Sequence, residues 1–191
     1  MSRALKSLAI FFAFAVIFTI SRHYADAKSS TTTTTTGTSS STTVTTIAGA
    51  MTCEGRDFTG VFNEGEGAAG TILASVTLTK NTAGSCTVKG YPLLTLQDLS
   101  GSVLASRTLD SSPVQFPATK ANEPPTLVSV SDGMSINFSL GYSDVPEGNE
   151  TCASVTSLAV QFASGASSVS VTPSYALQPC NNATLWVSPF Y

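Results

Sequence analysis

In residues 134–142, "MSINFSLGY", the apolar Met134, Ile136, Phe138, Leu140 and Tyr142 alternate with Ser135, Asn137, Ser139 and Gly141. A period of two is the pattern of a strand with one face on a core and the other in water. Residues 72–80, "ILASVTLTK", repeat it with Ile72, Ala74, Val76 and Leu78. Further strands are expected at 57–63, 91–97, 102–109, 126–130, 155–162, 167–172 and 184–188. Turn chemistry separates them: "NEGEG", "NTAGS", "LSGS", "ANEPP", "SDGM", "VPEGN" and "ASGAS". From Cys53 onward no run of ten or more residues carries helical apolar spacing. About nine short strands without a helix predict an all-β fold, an antiparallel β-sandwich of immunoglobulin-like type, with a closed barrel as the rival.

The pattern is different at the start of the chain. Arg3 and Lys6 precede an apolar run from Leu8 to Ile20, and Ala25 and Ala27 follow as Ala-x-Ala, the layout of a signal peptide over residues 1–27. As a helix the run rises only about 20 Å, short of the roughly 30 Å hydrocarbon core. Cleavage after Ala27 is expected, with an uncleaved anchor as the alternative; a membrane enters only in that second case. Residues 28–49 hold 16 Ser or Thr out of 22, too little apolar surface to offset the entropy of ordering. Residues 28–50 are therefore expected to form a disordered tether, either a passive spacer or a glycosylated stalk. Residues 51–191 form the folded domain.

Only 11% of the chain is charged and 42% is hydrophobic, so Ser, Thr, Asn and Gly must supply surface polarity. Removing residues 1–27 leaves six basic against eleven acidic residues. With no basic block, a nucleic-acid partner is excluded. A monomer facing an envelope component, protein or polysaccharide, is the expectation.

Within "GSCTVKGYPLLTLQ", Gly90 can take a backbone angle closed to other residues and Pro92 cannot donate to a ladder, so the pair marks a strand entrance. Tyr91 is then expected to plug the end of the core with its ring. The longer stretch "GEGAAGTILASVTLTKNTAGSCTVKGYPLLTLQDLSG" resembles an exported actinobacterial family known as domain of unknown function 4232. The resemblance is carried by Ala68, Ala69, Gly70, Asn81, Cys86, Gly90, Tyr91, Pro92 and Asp98, then by Cys152 and by Cys180 before "NNATLWVSP". Lys80 departs from it, since an apolar or aromatic residue is usual there. The resemblance implies the fold and an exported location but brings no activity or site.

Four cysteines, Cys53, Cys86, Cys152 and Cys180, read as a disulfide framework in an exported chain. No pair has zinc-site spacing. Residues equidistant from a hairpin turn face one another, so a turn near 165 sets 152 opposite about 178, and one near 67 sets 53 opposite about 81. This favours Cys53 with Cys86 and Cys152 with Cys180. The rival, Cys53 with Cys180, needs the first and last strands to be neighbours.

The sole histidine, His23, lies in the signal region, which removes imidazole-activated nucleophiles and imidazole metal ligands from a mature chain. Carboxylates remain. Glu64 and Glu66 share one glycine-rich loop, where solvent denies them the separation in acidity that a glycosidase requires. Asp144, Glu147 and Glu150 are spaced by three in another loop but lack the order of a calcium loop. Trp186, beside Phe190 and Tyr191, reads as a core residue more readily than as a sugar platform. Asn137, Asn149 and Asn182 head Asn-x-Ser/Thr triplets, which carry no meaning in the bacterial setting that the resemblance implies. No catalytic, cofactor or metal residue is assigned. The expectation is an exported, non-catalytic binding or structural module; the alternatives are a carboxylate-dependent secreted hydrolase and a wall-associated adhesion domain on a glycosylated stalk.

Overall fold

The computed structural model describes residues 51–191, so the signal-peptide and tether readings lie outside the described residues. Ten strands follow in order: β1 Phe58–Ala68, β2 Thr71–Lys80, β3 Ser85–Val88, β4 Leu93–Gln97, β5 Arg107–Leu109, β6 Val128–Ser131, β7 Ser135–Ser143, β8 Ser157–Gln161, β9 Ser168–Val171 and β10 Thr184–Val187. They form a five-stranded sheet β1-β2-β7-β10-β5, a three-stranded sheet β4-β8-β9 and a pair β3-β6. Among the described residues the helical content is two 3₁₀ turns, Gly55–Asp57 and Thr119–Asn122. None of the described helices is long and apolar enough to cross a membrane.

The alternation in "ILASVTLTK" places Ala74, Val76 and Leu78 on the buried face of β2. The two residues between β1 and β2, Ala69 and Gly70, both have positive φ (52° and 81°), the backbone hand that matches strand twist in a two-residue hairpin. β7 packs along β2 from Thr71 opposite Ser143 to Thr79 opposite Ser135. Its alternate residues Ile136, Phe138, Leu140 and Tyr142 are buried.

Inward residues of all three sheets meet in one core. Four phenylalanines run through it: Phe58 against Phe162 (4.6 Å between ring centroids), Phe162 against Phe190 (5.3 Å), and Phe190 edge-on to Phe138 (5.9 Å). Lys80 continues the inward row of β2 and is only 3% exposed. Its ammonium donates to Thr82 O and Thr82 Oγ1, both at 2.6 Å, and to Ala83 O at 3.4 Å, so a buried charge is hydrogen-bonded where the family resemblance led one to expect an apolar side chain.

Several expectations change. Residues 63–67, expected as a glycine-rich turn centred near 67, lie inside β1, and the chain turns at Ala69 and Gly70. Met134 sits in the turn before β7 and is 51% exposed, while Ser139 and Gly141 on the supposedly wet face of β7 are buried. The reason is a cover: Ser188 Oγ accepts the Ser139 N–H (2.8 Å), and Trp186 lies against Gly141. Residues 102–109 are mostly loop, with a single bridge Gln97–Val103 before β5. β5 then pairs parallel with β10 (Thr184 opposite Arg107), so the sheet is not wholly antiparallel. Residues 85–88, read from sequence as a turn and its exit, form β3 and pair with β6 from Ser85 opposite Ser131 to Val88 opposite Val128.

Candidate functional site

Cys53 is bonded to Cys86, 33 residues on, and Cys152 to Cys180, 28 residues on. The first bridge is flanked by a parallel bridge between Thr52 and Thr87, the second by hydrogen bonds from Ala153 N to Pro179 O and between Val155 and Leu177. No cysteine is free among the described residues. Paired thiols fit an oxidising, extracytoplasmic compartment.

Opposite the core, the outer face of the five-stranded sheet carries a polar lattice. Asn63 Nδ2 donates to Thr77 Oγ1 (2.9 Å) and Ser75 Oγ (3.3 Å), Thr77 Oγ1 donates to Asn137 Oδ1 (2.7 Å), and Ser139 Oγ shares a hydrogen bond with the Tyr191 hydroxyl (3.0 Å). The Asn137 backbone exchanges two hydrogen bonds with Tyr191 (2.8 and 2.9 Å), laying Tyr191 beside β7.

A β-bulge breaks the lattice. Asn63 lies opposite Ser75, but Glu66 rather than residue 65 lies opposite Leu73. One extra residue shifts the parity of β1, so Glu66 joins Leu73 and Ser75 on the outer face instead of turning into the core. Gly65 makes this possible: a Cβ there would overlap the Leu73 carbonyl. Its cross-strand row then reads Glu66, Leu73, Gly141, Trp186, Leu109. A Cβ on Gly141 would come within 2.8 Å of Leu73 Cδ2 and 3.2 Å of Trp186 Cε3, so its missing side chain lets those two approach across β7.

The long connection from β5 to β6 forms a strap whose residues Val114, Pro117 and Ala118 face this outer surface. Asn122 holds the strap in shape, accepting the Phe116 N–H (2.9 Å) and donating to Phe116 O (2.9 Å) and Ala118 O (3.1 Å). Phe116 and Ala121 are buried. Between strap and sheet lies a groove of about 730 Å³ with Leu73, Ser75, Ser139 and Tyr191 on its floor and Glu64 and Glu66 at its rim. Glu64 and Glu66 are both exposed, and Ser174 Oγ donates to Glu64. No lysine or arginine is among the residues that line it.

The other sequence candidates stand apart from the groove. Asp144, Glu147 and Glu150 are exposed, and no group of three potential ligands among the described residues could hold a metal ion. Trp186 is half-buried on the outer face of the sheet, while its neighbours Leu185 and Val187 enter the core. Asn137 is tied into the lattice; Asn149 and Asn182 are exposed. Tyr91 packs on the core and the preceding Gly90 carbonyl accepts the Phe190 N–H at 3.0 Å, so the Gly-Tyr-Pro turn is fastened to the segment after β10. The strap and the parity shift at the bulge were missed in the sequence; the one signal for the bulge was the Gly65 and Gly67 spacing inside β1.

Fold, bridges and groove together define an all-β, disulfide-stapled domain with a covered outer sheet face. Residues 53–191 match the family described as Domain of unknown function (DUF4232), and the chain belongs to it. No curated protein and no solved structure matches the chain.

Proposed function

We propose that the chain is exported and that its domain, a two-layer sandwich of immunoglobulin-like type, is a non-catalytic module that binds an envelope component in the groove under the strap. The sandwich reading rests on one core shared by the five-stranded sheet on one side and β4-β8-β9 with β3-β6 on the other. The binding reading rests on the bulge at Glu64–Glu66: at a cost in ladder bonds it brings Glu66 to the outer face, at the rim of the groove under the strap. A thermal-shift screen of envelope extracts and small ligands tests it. Ligands should raise the unfolding temperature of the natural chain and not of Ala118→Trp, which fills the groove from the strap. A ligand effect unchanged in that variant places binding elsewhere.

The carboxylate hydrolase is the second reading, favoured by the presence of Glu64 and Glu66 on one groove. Both acids come from one edge of the cleft and both are exposed, whereas glycoside cleavage needs carboxyls on opposite sides of the scissile bond with one held protonated. Turnover of ester, peptide or glycoside substrates that disappears in Glu64→Gln/Glu66→Gln would establish this second reading.

A further inference from the structure

The groove geometry points to an amphiphilic organic cation as its ligand, and we propose this as its chemical class: an apolar body between Leu73 and the Val114–Ala118 strap, with an ammonium group against Glu64 and Glu66. The inference rests on the binding reading above and names what is bound. Glu64 and Glu66 are the only charged side chains among the lining residues, so a carboxylate or phosphate ligand meets repulsion with no compensating cation.

The floor narrows the choice further. Two of its hydroxyls already have partners, Ser75 with Asn63 and Ser139 with Tyr191. A sugar, which needs many directed hydrogen bonds, finds few open partners beyond the Thr71 hydroxyl, and the rest of the lining is Leu73, Val114, Pro117, alanines and glycine backbone. A volume of about 730 Å³ lies in the span of small-molecule sites, roughly 300–1,000 Å³. A protein partner would have to cover about 800 Å² of this chain, far more than a strapped groove presents. The occupant is therefore a free small molecule.

The test titrates the full chain, disulfides intact, with three ligands sharing one tail: octyltrimethylammonium, octanoate and octyl glucoside, each below its micelle-forming concentration. Affinity is read by calorimetry and location by amide NMR shifts. The ammonium should bind roughly tenfold more tightly than octanoate, with shifts at Leu73, Ser75, Ser139 and Tyr191, and added salt should shrink the preference. Glu64→Gln/Glu66→Gln should lose the preference while keeping octyl glucoside binding, and Glu66→Gln alone should lose part of it. Octanoate binding as tightly as the ammonium, or a preference that survives the double variant, overturns the cation assignment and leaves the groove a binding site. If none of the three ligands shifts groove resonances, the binding reading falls as well.

Discussion

Gly65 presses its backbone against the carbonyl of Leu73, so closely that a methyl group cannot be placed between them. Gly65→Ala must then either expel the bulge or part β1 from β2. The expected loss of stability is about 2 kcal/mol or more, from strain and broken ladder bonds. Urea unfolding measures it. Gly84→Ala, at a position with open space but φ of 86°, is the comparison and should cost about 1 kcal/mol.

The neighbouring hairpin turn carries strain of the opposite kind. Ala69 is exposed and held at φ 52°. Ala69→Gly should raise stability by roughly 0.5 kcal/mol, the relief of left-handed strain less the added freedom of the unfolded chain. A lower urea midpoint for that variant would contradict this account.

Trp186 is the chain's only tryptophan, so its emission reports the outer sheet face directly. Gly141→Ala should push Leu73 and Trp186 apart, shifting the emission to the red as the indole gains water. Because the groups in the way are side-chain ends, the stability cost should stay near 1 kcal/mol.

Each disulfide closes a loop of similar size, 33 and 28 residues apart in sequence. On chain entropy alone, Cys53→Ala/Cys86→Ala and Cys152→Ala/Cys180→Ala should each lose about 3.5 kcal/mol. Equilibrium unfolding of the two double variants, compared with the oxidised chain, checks the near-equality.

Glu54 Oε2 accepts both the Ser167 N–H (2.7 Å) and the Ser167 hydroxyl (2.8 Å). The backbone N–H first, then the hydroxyl, and last the Arg56 charge hold its carboxyl below the ordinary value of 4.5. A depressed folded pKa gives stability that is present above 4.5 and lost as pH falls through the folded value. Tyr142 works at the other end: burial, then the charges of Tyr175 and Asp144, push its hydroxyl up to about 12, so the stability it contributes is lost as pH rises from about 10 through 12. Glu54→Gln should flatten the acid limb of the stability profile, and Tyr142→Phe the alkaline limb. An unchanged acid limb in the first variant would remove Glu54 from the account.

The strands visible in the sequence were those whose apolar positions keep a strict period of two. β2 and β7 are long and central and carry an unbroken alternation of apolar and polar or small residues, so Val76 and Phe138 announce themselves, although a cover buries the second face of β7 at Ser139 and Gly141. β3 is four residues, one of them Cys86, next to a glycine turn, and is too short for a period to show. β5 is three residues, paired parallel to a partner 77 positions away, and nothing in "RTL" records that partner. The misreading of Trp186 has the same origin: Leu185 and Val187 hold the inward positions, and parity then sends the indole outward. The groove was less legible still. Glu64 and Glu66 could be named as candidates, but their place over Leu73 depends on one bulge residue, and the opposite wall comes from a strap whose anchor, Asn122, looks like an ordinary loop asparagine.

The position of β10 governs the order of assembly. It lies between β7 and β5, yet it follows the other nine described strands in sequence. A polypeptide delivered from its amino end can complete the β1-β2-β7 portion early but must wait for Thr184–Val187 before β7 acquires its second neighbour and β5 any neighbour at all. Throughout that wait β7 offers a row of open backbone groups to any passing strand, its own or another molecule's. Cys152 waits as well, since Cys180 arrives only four residues ahead of the strand. The hazard for this protein is concentrated in the interval before Thr184–Val187 appear, and a chain cut short of Thr184 remains in that interval permanently.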